Sequence, residues 1–350
     1  MEDTEAQEKV KTKTMNIIIP MAGMGKRMRP HTLTTPKPLL PIAGKPIVRR
    51  LVEDIAKVCD EKIDNIAFII GPTFGKEVEA DLHNIAESLG AKGHICFQDE
   101  ALGTAHAVYC AKQVLDGNVI VGFADTLFRA DFTIDPSKDG VIWVKQVDDP
   151  SAFGVVKLTE DNVISDFIEK PVDFVSDLAI IGIYYFKDGA RLKKEIEYLL
   201  ENDIREKGEY QLTNALENMK SDGLQFVPGE VIEWMDCGNK NATVHTNQRV
   251  LANTKDEVLI ASSSKSNGST IIEPCYIGEN AVIEDSTIGP YVSIGDNTVV
   301  KRSVISNSII QCHTQIENAN FKNSMVGNHV IYNGESDQLS ISDYSTIKND

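Results

Sequence analysis

The stretch Asn16–Pro30, N-I-I-I-P-M-A-G-M-G-K-R-M-R-P, decides the fold of this 350-residue chain. Its three consecutive isoleucines predict a buried strand, and Gly23 and Gly25 predict a tight turn directly after it. Such a turn lets backbone N–H groups close on a phosphate or a base. The turn is not a P-loop, because Arg27 stands where that motif has Ser or Thr. Met28 likewise excludes a dinucleotide fingerprint, because it replaces the third glycine.

Downstream of this turn, strands and helices alternate at the spacing of βαβ units. The pattern predicts helices at 47–58, 76–88 and 104–115, and strands at 66–70, 94–98 and 118–125. We therefore expect an α/β fold with a Rossmann-like, mostly parallel sheet and helices on both faces. From about residue 141, alternating apolar runs predict further strands that extend this sheet or form a lid. Ligands of such folds bind at the carboxyl ends of strands, which here include Ala22-Gly23, Gln98 and Asp125.

The last part of the chain contains an internal repeat of aliphatic residues. They recur every five or six positions, at Ile271, Ile277, Ile283, Ile288, Ile294, Val300, Ile305, Ile310 and Ile316. With small polar residues between them, they predict a left-handed parallel β-helix of about four turns, each of about eighteen residues. A plain β-meander is the alternative, and the regular spacing disfavours it. The polar segment 261–269 is predicted to mark the boundary before the repeat.

The charge distribution predicts an anion-binding site near the N-terminus. The chain has a net charge of −17, which disfavours nucleic acid as its main partner. Residues 9–52 contain ten Lys or Arg and no Asp or Glu, so this segment carries +10 and the other 306 residues carry −27. A solvated basic face is the alternative reading. Arg27 and Lys37, in the same loop as the two glycines, favour phosphate binding.

Composition also predicts where the protein resides. No apolar run is long enough to span a membrane, and the first fourteen residues lack the apolar core of a secretory signal. The six cysteines form no C-x-x-C pair. We expect them to be reduced thiols in a cytoplasmic protein.

The loop residues Gly23–Pro38 resemble the signature G-x-G-T-R-x-x-P-x-T-x-x-x-P-K-P of sugar-1-phosphate nucleotidyltransferases. Lys26 replaces the usual Thr, from which we expect altered affinity rather than lost activity. The resemblance covers about residues 15–250, which we expect to be the catalytic domain. The composition of residues 1–14 predicts a polar tail, and the repeat predicts a left-handed β-helix domain at 251–350. The resemblance continues in the family's order through QDEALGTAHA (98–107), FAD (123–125), AFGVVKL (152–158), FIEKP (167–171), AIIGIYYF (179–186) and WMDCG (234–238).

The resemblance implies a reaction in which a sugar-1-phosphate attacks the α-phosphorus of a nucleoside triphosphate and expels pyrophosphate. Arg27 would steady the pyrophosphate, Lys37 would contact the reacting phosphates, and Lys170 would hold the sugar phosphate. Asp125 and Asp236 would bind Mg²⁺, which takes few carboxylates and keeps water and substrate oxygens as its other ligands. Taken singly, Asp125 could instead be a helix cap, Asp236 a surface acid and Lys170 an exposed charge.

The resemblance also implies which residues bind the nucleotide and the sugar. The nucleotide residues would be Ala22, Gly23, Gly25, Lys26, Gln98, Gly103 and Thr104, with the Gln98 amide and Gly103 reading a pyrimidine base. The sugar residues would be Gly154, Glu169, Lys170 and Ile180, although Gly154 could also mark a strand bulge. The relatives specific for N-acetylglucosamine have Asn-Thr-Gly where this chain has Ile180-Ile-Gly182, which favours glucose-1-phosphate.

Several functions remain open at this point. UTP or dTTP is the expected nucleotide donor, and N-acetylglucosamine-1-phosphate or mannose-1-phosphate is an alternative acceptor. A non-catalytic regulatory or scaffold paralogue is disfavoured because the charged site residues are all present. A bifunctional enzyme with an acetylating β-helix is disfavoured because the repeat is short. We expect small-molecule substrates, no nucleic acid or membrane partner, and a homo-oligomer.

Overall fold

A computed structural model describes residues 14–130, 134–135, 137–254, 257–334 and 338–348. The predicted polar tail at 1–14 lies outside the described residues, apart from Thr14, which begins the first strand. The helices are α1 (Ile47–Lys57), α2 (Lys76–Ser88), α3 (Thr104–Tyr109), α4 (Gly189–Glu201), α5 (Leu212–Ser221) and α6 (Lys240–Asn253). The strands before the repeat are β1 (Thr14–Pro20), β2 (Pro41–Ile42), β3 (Lys45–Pro46), β4 (Lys62–Ile70), β5 (Lys92–Phe97), β6 (Asn118–Gly122), β7 (Thr126–Arg129), β8 (Gly140–Gln146), β9 (Gly154–Leu158), β10 (Ile164–Glu169), β11 (Leu178–Phe186), β12 (Phe226–Glu230) and β13 (Glu233–Asp236).

The repeat contributes short strands that form three sheets, each made of corresponding strands from successive coils. The first sheet contains β14 (Lys265–Asn267), β17 (Val282–Glu284), β20 (Val299–Lys301), β23 (Gln315–Glu317), β26 (Ile331–Asn333) and β28 (Thr346–Lys348). The second contains β15 (Thr270–Ile271), β18 (Thr287–Ile288), β21 (Val304–Ser306) and β24 (Asn320–Lys322). The third contains β16 (Tyr276–Ile277), β19 (Val292–Ile294), β22 (Ser308–Ile310), β25 (Met325–Val326) and β27 (Ser340–Ile341).

Two compact units divide the chain. The first unit comprises residues 1–20, 56–122 and 132–229, and the second comprises 21–55, 123–131 and 230–350. The predicted domains are continuous segments with boundaries after residues 14 and 250, whereas each compact unit combines several segments. The predicted domain boundaries stay a prediction.

The first unit is built on one mixed sheet with strand order β10-β9-β11-β6-β1-β4-β5, and β8 and β12 extend it from β11. The strands β6, β1, β4 and β5 are parallel, whereas β11 is antiparallel to β6. The three isoleucines at 17–19 are fully buried in the central strand β1. This is the parallel-dominated α/β fold that the alternation of strands and helices predicted.

The carboxyl edge of this sheet positions one predicted site residue in the first unit. Parallel neighbours end on the same edge, and Gln98 directly follows β5 there. Its backbone N–H donates to Ile70 O (3.0 Å), which continues the ladder one residue beyond the strand. The helix α3 ends at Tyr109, earlier than the predicted residue 115.

The second unit contains the left-handed β-helix that the repeat predicted. Its parallel ladders place Ile283 opposite Val300 and Val300 opposite Ile316, so that the repeating aliphatic side chains form one buried column. Successive coils contain 15 to 17 residues rather than eighteen. The predicted boundary segment 261–269 already contains β14, so the β-helix begins inside it.

The third sheet of the β-helix has a buried outer face as well as a buried inner face. Ile310 and Val326 point into the aliphatic column, and the adjacent Ile309 and Met325 are also buried, at 1% and 0% exposure. The helix α6 packs against β19 and β22 of this sheet. Asn247 of α6 has a buried side-chain oxygen, which accepts hydrogen bonds from Ala43 N (2.9 Å) and Ser293 Oγ (2.7 Å).

Two further properties follow from the described residues. None of the described helices combines the length and the apolar character that a membrane crossing needs. All six cysteines lie among the described residues and are free thiols.

Candidate active site

The turn after β1 belongs to the second unit and is shaped by Gly25. Gly25 has φ +57°, and a Cβ there would lie 3.0 Å from Thr32 Cγ2 and 3.1 Å from Lys37 Cβ. The Thr32 hydroxyl donates to Gly25 O (2.8 Å), which closes the loop. A larger residue at 25 would therefore be strained and would displace Lys37. A Cβ on Gly23, in contrast, would lie within 4 Å of no atom in the part of the chain that the structure describes.

The last coil of the β-helix contacts the loop that follows this turn. Ser342 Oγ donates to Pro30 O (3.0 Å), and Thr34 Oγ1 donates to Asp343 Oδ2 (2.7 Å). The buried His31 lies between these contacts, with Nε2 3.2 Å from Ser340 Oγ.

The His31 ring is held in its neutral form. Burial lowers the pKa of His31 to about 4; the Asp343 carboxylate raises this pKa and Lys240 lowers it. Among the described residues, none is a hydrogen-bond partner of the buried ring atom Nδ1. Adding a proton to this ring would therefore place a charge in a dry site.

Two predicted metal ligands lie close together in the second unit. Asp125 immediately precedes β7, and Asp236 ends β13, which pairs with β7 and places Asp236 opposite Thr126. The Cys237 N–H donates to Asp125 O (2.9 Å), and the Gly238 N–H donates to Asp236 Oδ1 (2.9 Å). The antiparallel pairing thus brings together two acids that are 111 positions apart in the sequence.

The two predicted phosphate-binding cations lie beside these acids. Lys37 Nζ is 2.8 Å from Asp125 Oδ2. A Cβ on Gly238 would lie 2.9 Å from Asp236 Oδ1 and 3.2 Å from Arg27 Nη2, which shows how close the exposed Arg27 comes to Asp236. We call Arg27, Lys37, Asp125 and Asp236 the charged cluster. Gly238 is not among the predicted site residues, although its position two residues after Asp236 in W-M-D-C-G is a usable signal.

Burial and the two neighbouring carboxylates determine the electrostatics of the charged cluster. Burial raises the pKa of Asp236, and the Asp125 carboxylate raises it further, while the Gly238 N–H, Lys37 and Arg27 lower it. Two adjacent carboxylates disfavour each other's charge until a cation is shared between them. Among the described residues no group of three His, Cys, Asp or Glu side chains could hold a metal. Two carboxylates suit Mg²⁺, which keeps several waters or substrate oxygens.

A second cluster, in the first unit, surrounds the predicted base-reading residue. Gln98 Nε2 donates to Gly103 O (3.3 Å) and lies 3.1 Å from His106 Nδ1. Gly103 has φ +118°, and a Cβ there would lie 2.5 Å from Tyr210 O. Its lack of a side chain is thus needed for packing against the Tyr210 backbone. We call Gln98, Gly103 and His106 the amide cluster.

The neighbouring Thr104 has a structural role in the same unit. Its Oγ1 donates to Gln211 Oε1 (3.1 Å) and accepts from Leu212 N (2.9 Å), at the start of α5. Its role in nucleotide binding stays a prediction. His106, in contrast, was missed by the sequence analysis, and its place one helical turn after Gly103 was the signal that could have found it.

The predicted sugar-binding residues also come together within the first unit. Gly154 pairs with Glu169 across β9 and β10, and a Cβ on Gly154 would lie 3.1 Å from Glu169 Oε2 and 3.4 Å from Ile180 Cδ1. Lys170 Nζ is 3.4 Å from Glu169 Oε1, and the Lys170 side chain is half exposed. We call Gly154, Glu169, Lys170 and Ile180 the sugar cluster. Thr213, which the sequence analysis did not select, donates to Glu169 Oε2 (3.4 Å).

The remaining nucleotide-binding predictions, Ala22 and Lys26, lie in the same turn as Gly23 and Gly25. Ala22 is partly buried and Lys26 is exposed. The charged cluster and this turn are in the second unit, and the amide and sugar clusters are in the first.

Comparisons with known proteins identify relatives over most of the chain. The chain is 31% identical over 342 residues to the glucose-1-phosphate thymidylyltransferase of Streptomyces antibioticus, covering 90% of this chain and 93% of that protein. It is 30% identical over 341 residues to the bifunctional protein GlmU of Methanococcus vannielii, covering 91% and 78%. The solved structure of UDP-glucose pyrophosphorylase complexed with UDP-glucose has a similar fold. Its TM-score is 0.55 at 23% identity, over 69% of this chain and 100% of that one.

The family assignment rests on the part of the chain that carries the signature loop and all three clusters. Residues 16–253 match the model of the nucleotidyl transferase family. The resemblance that the signature loop predicted is thereby confirmed, and this chain belongs to the nucleotidyl transferase family.

Proposed function

We propose that this chain transfers a nucleotidyl group from UTP or dTTP to a hexose-1-phosphate, with glucose-1-phosphate as the preferred acceptor. The products are a nucleotide-sugar and pyrophosphate. The observation that carries the proposal is the charged cluster, in which Lys37 pairs with Asp125 (2.8 Å) and Arg27 lies beside Asp236. Two cations and two carboxylates in one place suit a polyphosphate and a divalent cation better than a neutral substrate.

The charged cluster suits a reaction that needs no general base. An oxygen of the sugar phosphate forms a bond to the α-phosphorus, and the bond from that phosphorus to the pyrophosphate oxygen breaks with its electron pair. The attacking oxygen is already anionic, so catalysis consists of orienting two polyanions and stabilising the leaving charge. Mg²⁺ held by Asp125 and Asp236 would neutralise phosphate charge. Arg27 would stabilise the leaving pyrophosphate, and Lys37 would bind the reacting phosphates.

The sugar cluster favours glucose over N-acetylglucosamine. The side chain of Ile180 is buried beside Gly154 and has no polar atom that could bond an acetamido group. Glu169 would accept from sugar hydroxyls, and Lys170 would bind the sugar phosphate. The similarity to a glucose-1-phosphate thymidylyltransferase supports the same acceptor. The similarity to GlmU keeps N-acetylglucosamine-1-phosphate as the second candidate.

The test is pyrophosphate release in a matrix of substrates. UTP, dTTP, GTP, ATP and CTP are each combined with glucose-, galactose-, mannose- and N-acetylglucosamine-1-phosphate in the presence of Mg²⁺. We expect UTP or dTTP with glucose-1-phosphate to give the highest kcat/KM. Preferred use of another acceptor would correct the sugar assignment, and no release with any pair would favour a regulatory or scaffold protein.

We also propose that the protein is cytoplasmic and self-associates. Its six free thiols support a reducing compartment. The stacked coils of a β-helix leave open ends, which a second copy could cover. Light scattering of the purified chain measures its mass in solution, and a mass near the 38.6 kDa of one chain would contradict self-association.

A further inference from the structure

The side-chain amide of Gln98 has a defined orientation in the amide cluster. A carbonyl oxygen can only accept a hydrogen bond, so the group of Gln98 that faces Gly103 O must be its NH₂ and not its oxygen. The same Nε2 lies 3.1 Å from His106 Nδ1, which is the only other side-chain contact that the structure gives this amide within the described residues. Whether His106 Nδ1 carries a proton therefore decides whether it favours this orientation of the Gln98 amide.

His106 supports this orientation when its ring is neutral. With its proton on Nε2, a neutral imidazole has an acceptor at Nδ1 and can take the second hydrogen of the Gln98 NH₂. Burial lowers the pKa of His106, while Glu100 raises it. Both hydrogens of Nε2 are then used by the protein. The oxygen Oε1 is the part of the amide left to contact a ligand.

An acceptor at this position distinguishes between pyrimidine bases. The imide edge of uracil or thymine has an N3–H donor, which matches Oε1. The corresponding N3 of cytosine is an acceptor and would face Oε1 lone pair to lone pair. An amide that could rotate would lose this distinction, because its NH₂ would then serve cytosine as well as its oxygen serves uracil.

We propose that His106 is a positioning residue for base specificity: by holding Nε2 of Gln98 inward, it presents Oε1 to the imide N–H of uracil or thymine and disfavours cytosine. The inference rests on the proposed function, because it takes Gln98 as the residue that reads the base. It predicts that the specificity resides partly in a side chain that does not itself contact the nucleotide.

The test compares His106→Leu with His106→Asn. Leucine keeps a similar bulk without an acceptor, whereas the oxygen of asparagine can replace Nδ1. The exposed His83, on α2 of the same unit, provides the control His83→Leu. For each protein, kcat/KM is measured for UTP and CTP with glucose-1-phosphate, and thermal unfolding checks that the variants are folded.

We expect His106→Leu to reduce the UTP-to-CTP ratio about fivefold, mainly through the KM of the nucleotide, since an amide fixed by one hydrogen bond gains about 1 kcal/mol. His106→Asn should keep most of the ratio, and His83→Leu should keep all of it. Equal loss with both nucleotides, or loss of stability at an unchanged ratio, would overturn the proposal. The same holds if the wild-type protein shows no preference for UTP.

Failure of the proposed function would be visible separately. If the wild-type protein releases no pyrophosphate with any substrate pair, the same ratio is taken from the dissociation constants of UTP and CTP by calorimetry. A UTP preference that falls in His106→Leu and survives in His106→Asn then supports the role of His106 in an inactive protein. Equal binding of both nucleotides overturns it.

Discussion

The charged cluster of the second unit and the amide cluster of the first unit are held in place by different interactions. In the charged cluster, Lys37 is paired with Asp125 at 2.8 Å, and Asp236 has its pKa raised by burial and by Asp125. In the amide cluster, Gln98 is oriented by a backbone carbonyl and a histidine nitrogen, and Gly103 is packed against the Tyr210 backbone.

This difference indicates what each cluster contributes. Charged side chains beside a reacting group stabilise charge that develops during a reaction, so changes in the charged cluster should affect turnover. Neutral hydrogen bonds of fixed direction select one ligand over another, so changes in the amide cluster should affect the choice of nucleotide. Variants of each cluster therefore test whether turnover and nucleotide selection can be changed separately.

The largest expected effect is that of Asp125→Asn. We expect turnover to fall about 1,000-fold, because the amide keeps the shape of the carboxylate and loses the charge that pairs with Lys37 and that we propose to hold Mg²⁺. The UTP-to-CTP ratio of the residual activity should stay unchanged. Steady-state pyrophosphate release measures both quantities, and removal of Mg²⁺ by a chelator should abolish the wild-type activity.

The matched control for Asp125 is Asp285→Asn, an exposed acid in a coil of the β-helix. It should retain wild-type turnover. If Asp125→Asn unfolds in a thermal melt, Asp125 has a structural role. Full activity of the wild-type protein in excess chelator would contradict the metal assignment.

The next effect concerns the stability of the loop after the turn and depends on pH. The pKa of His31, about 4 in the folded protein, lies below the ordinary value of 6.5, so the unfolded chain binds this proton more readily. The stability contributed by neutral His31 is present above pH 6.5 and is lost as the pH falls towards 4. This loss amounts to about 3 kcal/mol of the free energy of unfolding by pH 4.

Urea unfolding of the full chain at pH 7 and at pH 4 measures this loss. His31→Leu should lose about 3 kcal/mol less than the wild type between the two values, because leucine cannot bind the proton. The exposed His245 of α6 provides the control, and His245→Leu should follow the wild type. Identical pH dependence in wild type and His31→Leu would show that another group causes the acid sensitivity.

A smaller effect separates Arg27 and Lys170, the two residues that we propose to bind different phosphates. Arg27→Ala should lower kcat about 50-fold at a nearly unchanged KM for the sugar phosphate, because the attraction between the guanidinium and the pyrophosphate grows as the pyrophosphate leaves. Solvent screens the exposed guanidinium, so this effect is smaller than that of Asp125→Asn. Lys170→Ala should mainly raise the KM for the sugar phosphate. The control is Arg29→Ala, an exposed arginine in the same loop. The same kinetic pattern in both variants would contradict the separate roles.

Much of the fold could be predicted because the sequence itself is periodic. The buried run at 17–19 and the spacing of aliphatic residues after 271 specify β1 and the β-helix directly. The early end of α3 could not be predicted, because hydrogen bonds such as Ala111 N to Val108 O span three residues there, and apolar spacing does not separate such turns from an α-helix. The first coil resembles a boundary segment in the sequence because Lys265–Asn267 is exposed and therefore polar.

The candidate site could be predicted where residues act by charge and not where they act through a neighbour. Asp125 and Asp236 each follow or end a strand and carry a chemically distinctive group, so sequence order sufficed to select them. His106 acts through Gln98, and Thr213 acts through Glu169 across a contact between α5 and β10. Such pairs form only when the chain folds, and no spacing along one element reveals them.

The smallest expected effect tests whether the last coil of the β-helix supports the charged cluster. Thr34, on the loop between Arg27 and Lys37, donates to Asp343 of that coil (2.7 Å). An exposed hydrogen bond of this kind contributes at most about 1 kcal/mol, so Thr34→Val and Asp343→Ala should each lower kcat about threefold by allowing the loop more freedom. The double variant should be no worse than either single variant, because both remove the same contact. Effects that multiply would show that the two residues act independently, and a change in the UTP-to-CTP ratio would show that the charged and amide clusters do not divide turnover and selection between them.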